Sequence, residues 1–253
     1  MAYGQHRLYG DLAHLWPLVS PPEQYEEEAG YWLRELRARL APGRRRILDL
    51  GTGGGHHLHR LTDDFDADAV DLSQAMLAHS QRLNPSVRHH VADMRTVRLG
   101  EVFDAVLIHD AIDYMTTEAD LLAVFASARA HLHPGGLLLA APDNYAETFK
   151  APGVCCETNR DAETELTWVE YSVDLDPSDT TIETTYVFFI KRGGELRVEV
   201  DGHTTGLFPI ATWERLLTET GFEVERIDYP VSKDGRPMFL WVGRLHAQLS
   251  HSF

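Results

Sequence analysis

The stretch from Ile47 to Gly55, Ile-Leu-Asp-Leu-Gly-Thr-Gly-Gly-Gly, constrains the fold of this chain more than any other. Arg44, Arg45 and Arg46 lead into the apolar run Ile47-Leu48 and Leu50, which predicts a strand buried on both faces. The glycines then force a tight turn into a helix, where a nucleotide-like ligand can meet bare main chain. Gly51 is expected to permit the turn and Gly53 to let the ligand approach. Gly55 is expected to let the following helix pack closely on the strand.

The spacing is Asp-x-Gly-x-Gly-x-Gly, over Asp49, Gly51, Gly53 and Gly55. A dinucleotide fingerprint needs Gly-x-Gly-x-x-Gly, but the last position is His56 counted from Gly51 and Leu58 counted from Gly53. A nicotinamide-dependent oxidoreductase is therefore disfavoured. The stretch resembles the cofactor loop of class I S-adenosylmethionine (SAM) dependent methyltransferases. A SAM-binding protein of the same fold that transfers no methyl group is the alternative reading.

At 253 residues and 43% hydrophobic content, the chain can bury the core of one domain, with room for a sizeable insertion. Its 23 Lys plus Arg against 39 Asp plus Glu give a net charge of -16, which repels a phosphate backbone. Nucleic acid and anionic membranes are disfavoured as general partners. The cysteines are the neighbours Cys155 and Cys156, which fit neither a disulfide framework nor a zinc site. The N-terminus lacks the apolar core of a signal peptide, and no run approaches the ~18 apolar residues of a membrane span. The expectation is a soluble, cytoplasmic protein.

Residues 1–40 predict two N-terminal lid helices, one ended by Pro21-Pro22 and a second over Gln24 to Leu40 with Glu26, Glu27 and Glu28 in its first turns. Tyr31 and Trp32 are expected to pack this second helix on the body. After the loop, His56 to Leu61 predicts a helix, and 67–71 a strand ending in Asp71, 20 residues beyond Gly51. There an α/β nucleotide site places a carboxylate for ribose hydroxyls, so Asp71 is the candidate ribose ligand. Ser73 is placed to cap a helix over Gln74 to Asn84, with Met76 in its first turn. A strand over Val87 to Val91 brings in Asp93 and Met94. A further strand over Phe103 to Ile108 brings in His109, Asp110, Asp113 and Tyr114.

Glu118 to Leu132 predicts a helix and Leu137 to Ala141 a strand. The βα alternation implies a doubly wound, mostly parallel sheet with ligands across the carboxyl ends of its strands. Alternation then stops: Leu166 to Asp174, Thr181 to Arg192 and Glu195 to Val200 predict a three-stranded antiparallel insertion, joined by turns at Asp176-Pro177-Ser178-Asp179 and Gly193-Gly194. The core resumes with a helix over Ile210 to Gly221 and strands over Phe222 to Ile227 and Met238 to Gly243, followed by a loose tail over His246 to Phe253. The expected organisation is a seven-stranded Rossmann-like core over 41–145 and 207–245. The insertion, over 146–206, either covers the acceptor or joins two subunits as a homodimer.

From Tyr9 to the late insertion, the set is most similar to the amino-sugar N,N-dimethyltransferases of antibiotic biosynthesis. This resemblance implies that Tyr9 lies over the methionine part of SAM and that Gly51, Thr52 and Gly53 line it. It also implies that Asp71 binds the ribose, that Leu72 and Met76 flank the adenine, and that Asp93 and Met94 meet its polar edge. His109 falls where the family places main chain near the amino acid end of SAM. On the acceptor side it implies Tyr25, Tyr114, His203 and Arg236. One departure is that Tyr114 stands where those enzymes have histidine.

The implied reaction transfers a methyl group from SAM to N or O of a small metabolite, leaving S-adenosylhomocysteine, and positioning the acceptor supplies most of the catalysis. A proton still has to leave the acceptor, and His109, Asp110, Asp113 and Tyr114 are the candidates, with Tyr114 and His109 first. His56-His57-x-His59, His89-His90 and His131-x-His133 match no recognised metal-ligand spacing, and no metal is expected.

Overall fold

The computed structural model describes residues 6–232 and 235–246. The tail expected from residue 246 lies outside them except for His246.

In chain order the elements are α1 (Trp16–Val19), α2 (Glu26–Arg39), β1 (Arg45–Leu50), α3 (His56–His59), β2 (Phe65–Asp71), α4 (Gln74–Leu83), β3 (Arg88–Val91) and β4 (Phe103–Ile108). These are followed by α5 (Glu118–Ala130), β5 (Leu132–Ala140), β6 (Gly153–Arg160), β7 (Thr164–Val173), β8 (Thr181–Arg192), β9 (Glu195–Gly206), α6 (Ile210–Glu219), β10 (Phe222–Asp228) and β11 (Phe239–Leu245). The seven-stranded sheet has the order β10-β11-β5-β4-β1-β2-β3. Its strands are parallel from β5 through β3, while β11 runs antiparallel to both its neighbours. The order reverses at β1, which pairs with both β2 and β4. A crevice opens at such a reversal, beyond the carboxyl ends of the strands.

Both faces of the sheet are covered, which is why the central strands are apolar almost without interruption. Leu48, Leu50, Val106 and Ile108 pack towards Phe125 of α5 and Trp213 of α6. Ile47, Ala105 and Leu107 pack on the other side with Trp32 and Leu36 of α2 and Leu58 of α3. Trp32 is fully buried and donates its Nε1–H to the Tyr229 hydroxyl at 3.1 Å, so its expected packing role holds. Ser73 and Thr117 cap α4 and α5, accepting from the main-chain N–H of Met76 and Asp120.

The insertion is a four-stranded antiparallel sheet, β6-β7-β8-β9, rather than the three-stranded one expected. Strand β6 has little apolar alternation of its own, reading Val-Cys-Cys-Glu-Thr-Asn between its end residues. Its pairing with β7 starts from a turn in which Asp161 Oδ1 accepts the N–H groups of Glu163 and Thr164. Strand β9 also runs six residues past the expected Val200, to Gly206, where the main chain meets Met115 so closely that a Cβ on Gly206 would lie 2.1 Å from its carbonyl oxygen. That contact docks the sheet onto the turn after β4.

One face of this second sheet has two characters. Leu166, Trp168, Phe188 and Ile190 are buried against Leu8, Leu12, Leu15 and Leu18. Further along, the same face carries Glu170, Ser172, Thr184, Tyr186 and His203 and lines a cavity. The N-terminal segment is therefore held by the second sheet. It is also less helical than expected, with two 3₁₀ turns, Arg7–Tyr9 and Ala13–Leu15, before the single turn of α1. A 3₁₀ turn over Pro22–Tyr25 replaces the start of the second expected helix.

Candidate active site

The glycine loop and the turn after β4 flank the crevice, and the N-terminal segment and second sheet roof it. The result is a cavity of ≈ 860 Å³. In the loop, Gly51, Gly53 and Gly55 have φ of +81°, +55° and +75°, a region that favours glycine. Gly51 is pressed against Ala111 and Met94, whereas a Cβ on Gly53 would face the cavity with Met76 Cε its nearest neighbour at 3.7 Å. Gly55 has a different role from the one expected. A Cβ there would strike Ser80 and Asn84, so it admits α4 against the loop, and Asn84 Nδ2 donates to its carbonyl at 2.9 Å.

Asp71 stands at the strand end as expected. One carboxylate oxygen accepts from Gly53 N–H at 2.8 Å and the other from Ser73 N–H at 2.7 Å. The carboxyl lines the cavity, and burial raises it above its ordinary value although main-chain N–H groups of Ser73, Gly53 and Leu72 act against this. Leu72 is 69% exposed over the same cavity, while Met76 is buried beneath the loop. Asp93 is clasped by Arg95, which holds its carboxyl below the ordinary range and also bridges to Asp120. Met94 lies under Gly51. Ser73 Oγ donates to the carbonyl of Tyr9 and so ties the N-terminal segment to this half.

Two neighbours that carry no motif in the sequence complete the loop wall. The Trp16 indole lies on Gly54, and its buried Nε1–H lacks a partner. His57 stacks on His109 at 4.8 Å and meets Trp32 edge-on, with both ring nitrogens buried and unpartnered. The bare Gly53, the cavity-lining carboxylate of Asp71 and these orphaned groups fit a ligand with a ribose at one end and an amino acid at the other.

In the acceptor half, the Tyr9 and Tyr114 hydroxyls are 2.8 Å apart and Tyr114 Oη lies 2.6 Å from His203 Nδ1. His203 Nε2 lies 2.9 Å from Asp201 Oδ2, which also accepts from Leu8 N–H. Burial acts to raise the Asp201 carboxyl, but the hydrogen bonds from His203 and Leu8 bring it down to about 2. In the tautomer that donates Nε2–H to this carboxylate, Nδ1 only accepts. Tyr114 then donates to His203 and Tyr9 donates to Tyr114. Burial raises both phenols, so both stay protonated.

His109 is engaged on both sides, with Nε2 2.9 Å from Glu28 and Nδ1 3.1 Å from Asp110. Burial disfavours its charge, but the two carboxylates outweigh this and hold the ring well above its ordinary value. An imidazolium clamped in this way offers no free lone pair, which runs against the expected use of His109 as a base. Tyr25 lies on the cavity wall, its hydroxyl 2.7 Å from Ser20 Oγ, and its ring meets His109 at 6.0 Å. Arg236 stands behind the wall, donating Nη1–H to Asn144 Oδ1 at 2.8 Å. Asn144, Asp143, Glu170 and Tyr186 also line the cavity, and no local sequence signal marks them.

Residues 47–136 match the family model described as Methyltransferase domain. A dTDP-3-amino-3,4,6-trideoxy-alpha-D-glucopyranose N,N-dimethyltransferase of Streptomyces venezuelae is 32% identical, across 87% of this chain and 92% of that one. The sugar N-methyltransferase KedS8 of Streptoalloteichus superposes with a TM-score of 0.82 at 27% identity, covering 98% of this chain and 97% of that one. SAM-bound CalS10, an amino pentose methyltransferase from Micromonospora echinaspora, gives a TM-score of 0.75 at 27% identity over 87% and 91%. The cofactor is SAM, and the acceptor of its methyl group is a small molecule. This chain belongs to the class I SAM-dependent methyltransferases, in the family of the amino-sugar N,N-dimethyltransferases.

Proposed function

We propose that this enzyme methylates the amine of a small hydroxylated metabolite of the amino-sugar kind. The observation that carries this reading is the composition of the acceptor half. Asp110, Asp113, Asp143 and Glu170 line it with Ser172, Thr184, Thr204, Thr205 and Tyr186, and the only Lys or Arg among the described lining residues is Arg95, at the other end. Such a wall attracts a cation and hydrogen-bonds hydroxyl groups. The names of the related enzymes point the same way.

SAM supplies an electrophilic methyl group on a sulfonium. Asp71 would hold its ribose and Gly51, Thr52 and Gly53 its main-chain contact, with Leu72, Met76, Asp93 and Met94 around the adenine and Tyr9, Trp16, His57 and the His109 main chain towards the amino acid end. Tyr114 would meet the acceptor, its hydroxyl aimed by Tyr9 and by His203 on Asp201. Tyr25 would close the same side, and Arg236 would act through Asn144. The N-terminal segment would serve as the lid. No described helix is long and apolar enough to cross a membrane, and a cytoplasmic location goes with this reading.

The outward face of the second sheet carries Val154, Tyr171, Phe189, Leu196, Val198 and Val200, all exposed. We infer that a second copy covers it. Incubation with isotopically labelled SAM and free amino sugars, their dTDP conjugates, phenols and alcohols tests the main reading. Label is expected in amines, and label confined to phenols or alcohols would overturn it.

A further inference from the structure

The turn after β4 and the loop after β5 bring two carboxylates into one buried corner of the acceptor half. Asp113 is 6% exposed, and its Oδ2 accepts the main-chain N–H of Asp143 at 2.9 Å. Its other oxygen, Oδ1, is buried and has no hydrogen-bond partner. Asp143 is half-buried beside it, and both residues line the cavity. A buried carboxylate oxygen without a donor costs stability, so the arrangement is unfavourable until a donor arrives.

We propose that Asp113 and Asp143 together seat the acceptor's ammonium group and that the pair takes its proton before methyl transfer. This rests on the amine reading above and names the residues that carry it. An ammonium brings N–H donors for Asp113 Oδ1 and for the Asp143 carboxylate. In the proton step one N–H bond breaks and its electron pair stays on nitrogen as the lone pair that methylation requires. An O–H bond forms on the carboxylate pair. Burial penalises charge on both partners, so the transfer, which turns an ion pair into a neutral one, is favoured in this corner relative to water.

The groups facing the pair are Asp110 and His109 from the turn after β4, Glu28 from α2 and Arg236 from the loop before β11. Burial together with Asp110 pushes Asp143 up to about 7, and burial together with Asp143 pushes Asp113 well above the carboxylate range. A base near neutrality suits an amine better than Tyr114, whose phenol is raised, or His109, which is already protonated.

The test is calorimetric titration of the full-length protein loaded with S-adenosylhomocysteine. Cyclohexylammonium and trans-4-hydroxycyclohexylammonium serve as cationic probes, and cyclohexanol and cyclohexane-1,4-diol as their uncharged counterparts. At pH 8 the cations are expected to bind at least about tenfold more tightly than the uncharged probes. Asp143→Asn and Asp113→Asn should each abolish that preference and leave affinity for S-adenosylhomocysteine within about twofold. Asp143 is half-buried, so its variant carries the test if Asp113→Asn does not fold. Adding cyclohexylammonium should also produce a protonated-carboxyl band in the infrared difference spectrum of the wild type but not of Asp143→Asn. Equal binding of charged and uncharged probes, a preference surviving in both variants, or no such band would overturn the proposal. Failure of the wild type to bind S-adenosylhomocysteine would remove the cofactor reading itself, so the two failures are distinguishable.

Discussion

Tyr114 Oη and His203 Nδ1 are 2.6 Å apart although 89 positions separate them in the chain, and this bond joins the turn after β4 to the inner face of the second sheet. Tyr114→Phe removes the hydroxyl and keeps the ring. Turnover is expected to fall about 10–100-fold in kcat/KM, the cost of one to two hydrogen bonds at the reacting end. His203→Ala should do the same with less effect on KM, because it misaligns the phenol without touching the acceptor. Steady-state kinetics on an accepted amine decides, and an unchanged kcat/KM for Tyr114→Phe would remove Tyr114 from the site.

Replacing Asp71 by alanine should weaken SAM binding by about 1.5–3 kcal/mol, the range for hydrogen bonds to a charged group. Both oxygens also hold main-chain N–H groups of the loop, so part of that loss is loop order. Calorimetry on Asp71→Asn, which retains one acceptor oxygen, should give an intermediate affinity. Wild-type affinity in both variants would contradict the ribose assignment.

Asp143 has a pH signature in stability. Its folded value is about 7 against an ordinary 3.8, so the folded protein binds the extra proton between those values. Stability from this group therefore falls as pH rises through that window. Asp143→Asn is expected to melt at a higher temperature than the wild type at pH 8, with the gap shrinking towards pH 5. Thermal melts at the two pH values are sufficient, and a gap that widens on acidification would show that the carboxyl is not held up.

If two copies meet on the outer face of the second sheet, Phe189→Lys with Val198→Lys should convert a dimer into a monomer. These two residues are directly paired across β8 and β9, so the substitutions put two like charges at one point of the face. Light scattering after size exclusion reads the mass. A wild type that is monomeric at all concentrations tested would end the dimer reading.

Much of the cofactor half is legible in the sequence, because its determinants are local. A glycine with positive φ, a carboxylate at a strand end and a capping serine are each specified by a few adjacent residues, and Gly51, Asp71 and Ser73 sit as expected. Gly55 departs from its expected role because its partners, Ser80 and Asn84, come from the next helix. Strand β6 is hidden in the sequence because its pairing is set by β7 and leaves little apolar alternation in its own residues.

The βα order of this chain, its glycine loop and the acid that follows it come from apolar periodicity and turn chemistry, which act over a few residues, and the sequence alone determines them. The acceptor half is settled only by tertiary structure. Asp113 and Asp143 meet because β4 and β5 lie side by side, Glu28 reaches His109 because α2 packs on the first sheet, and Tyr114 meets His203 because β9 docks on Met115. A carboxylate or imidazole takes its charge state from neighbours within a few ångströms and from the loss of water around it, and no one-dimensional spacing records either.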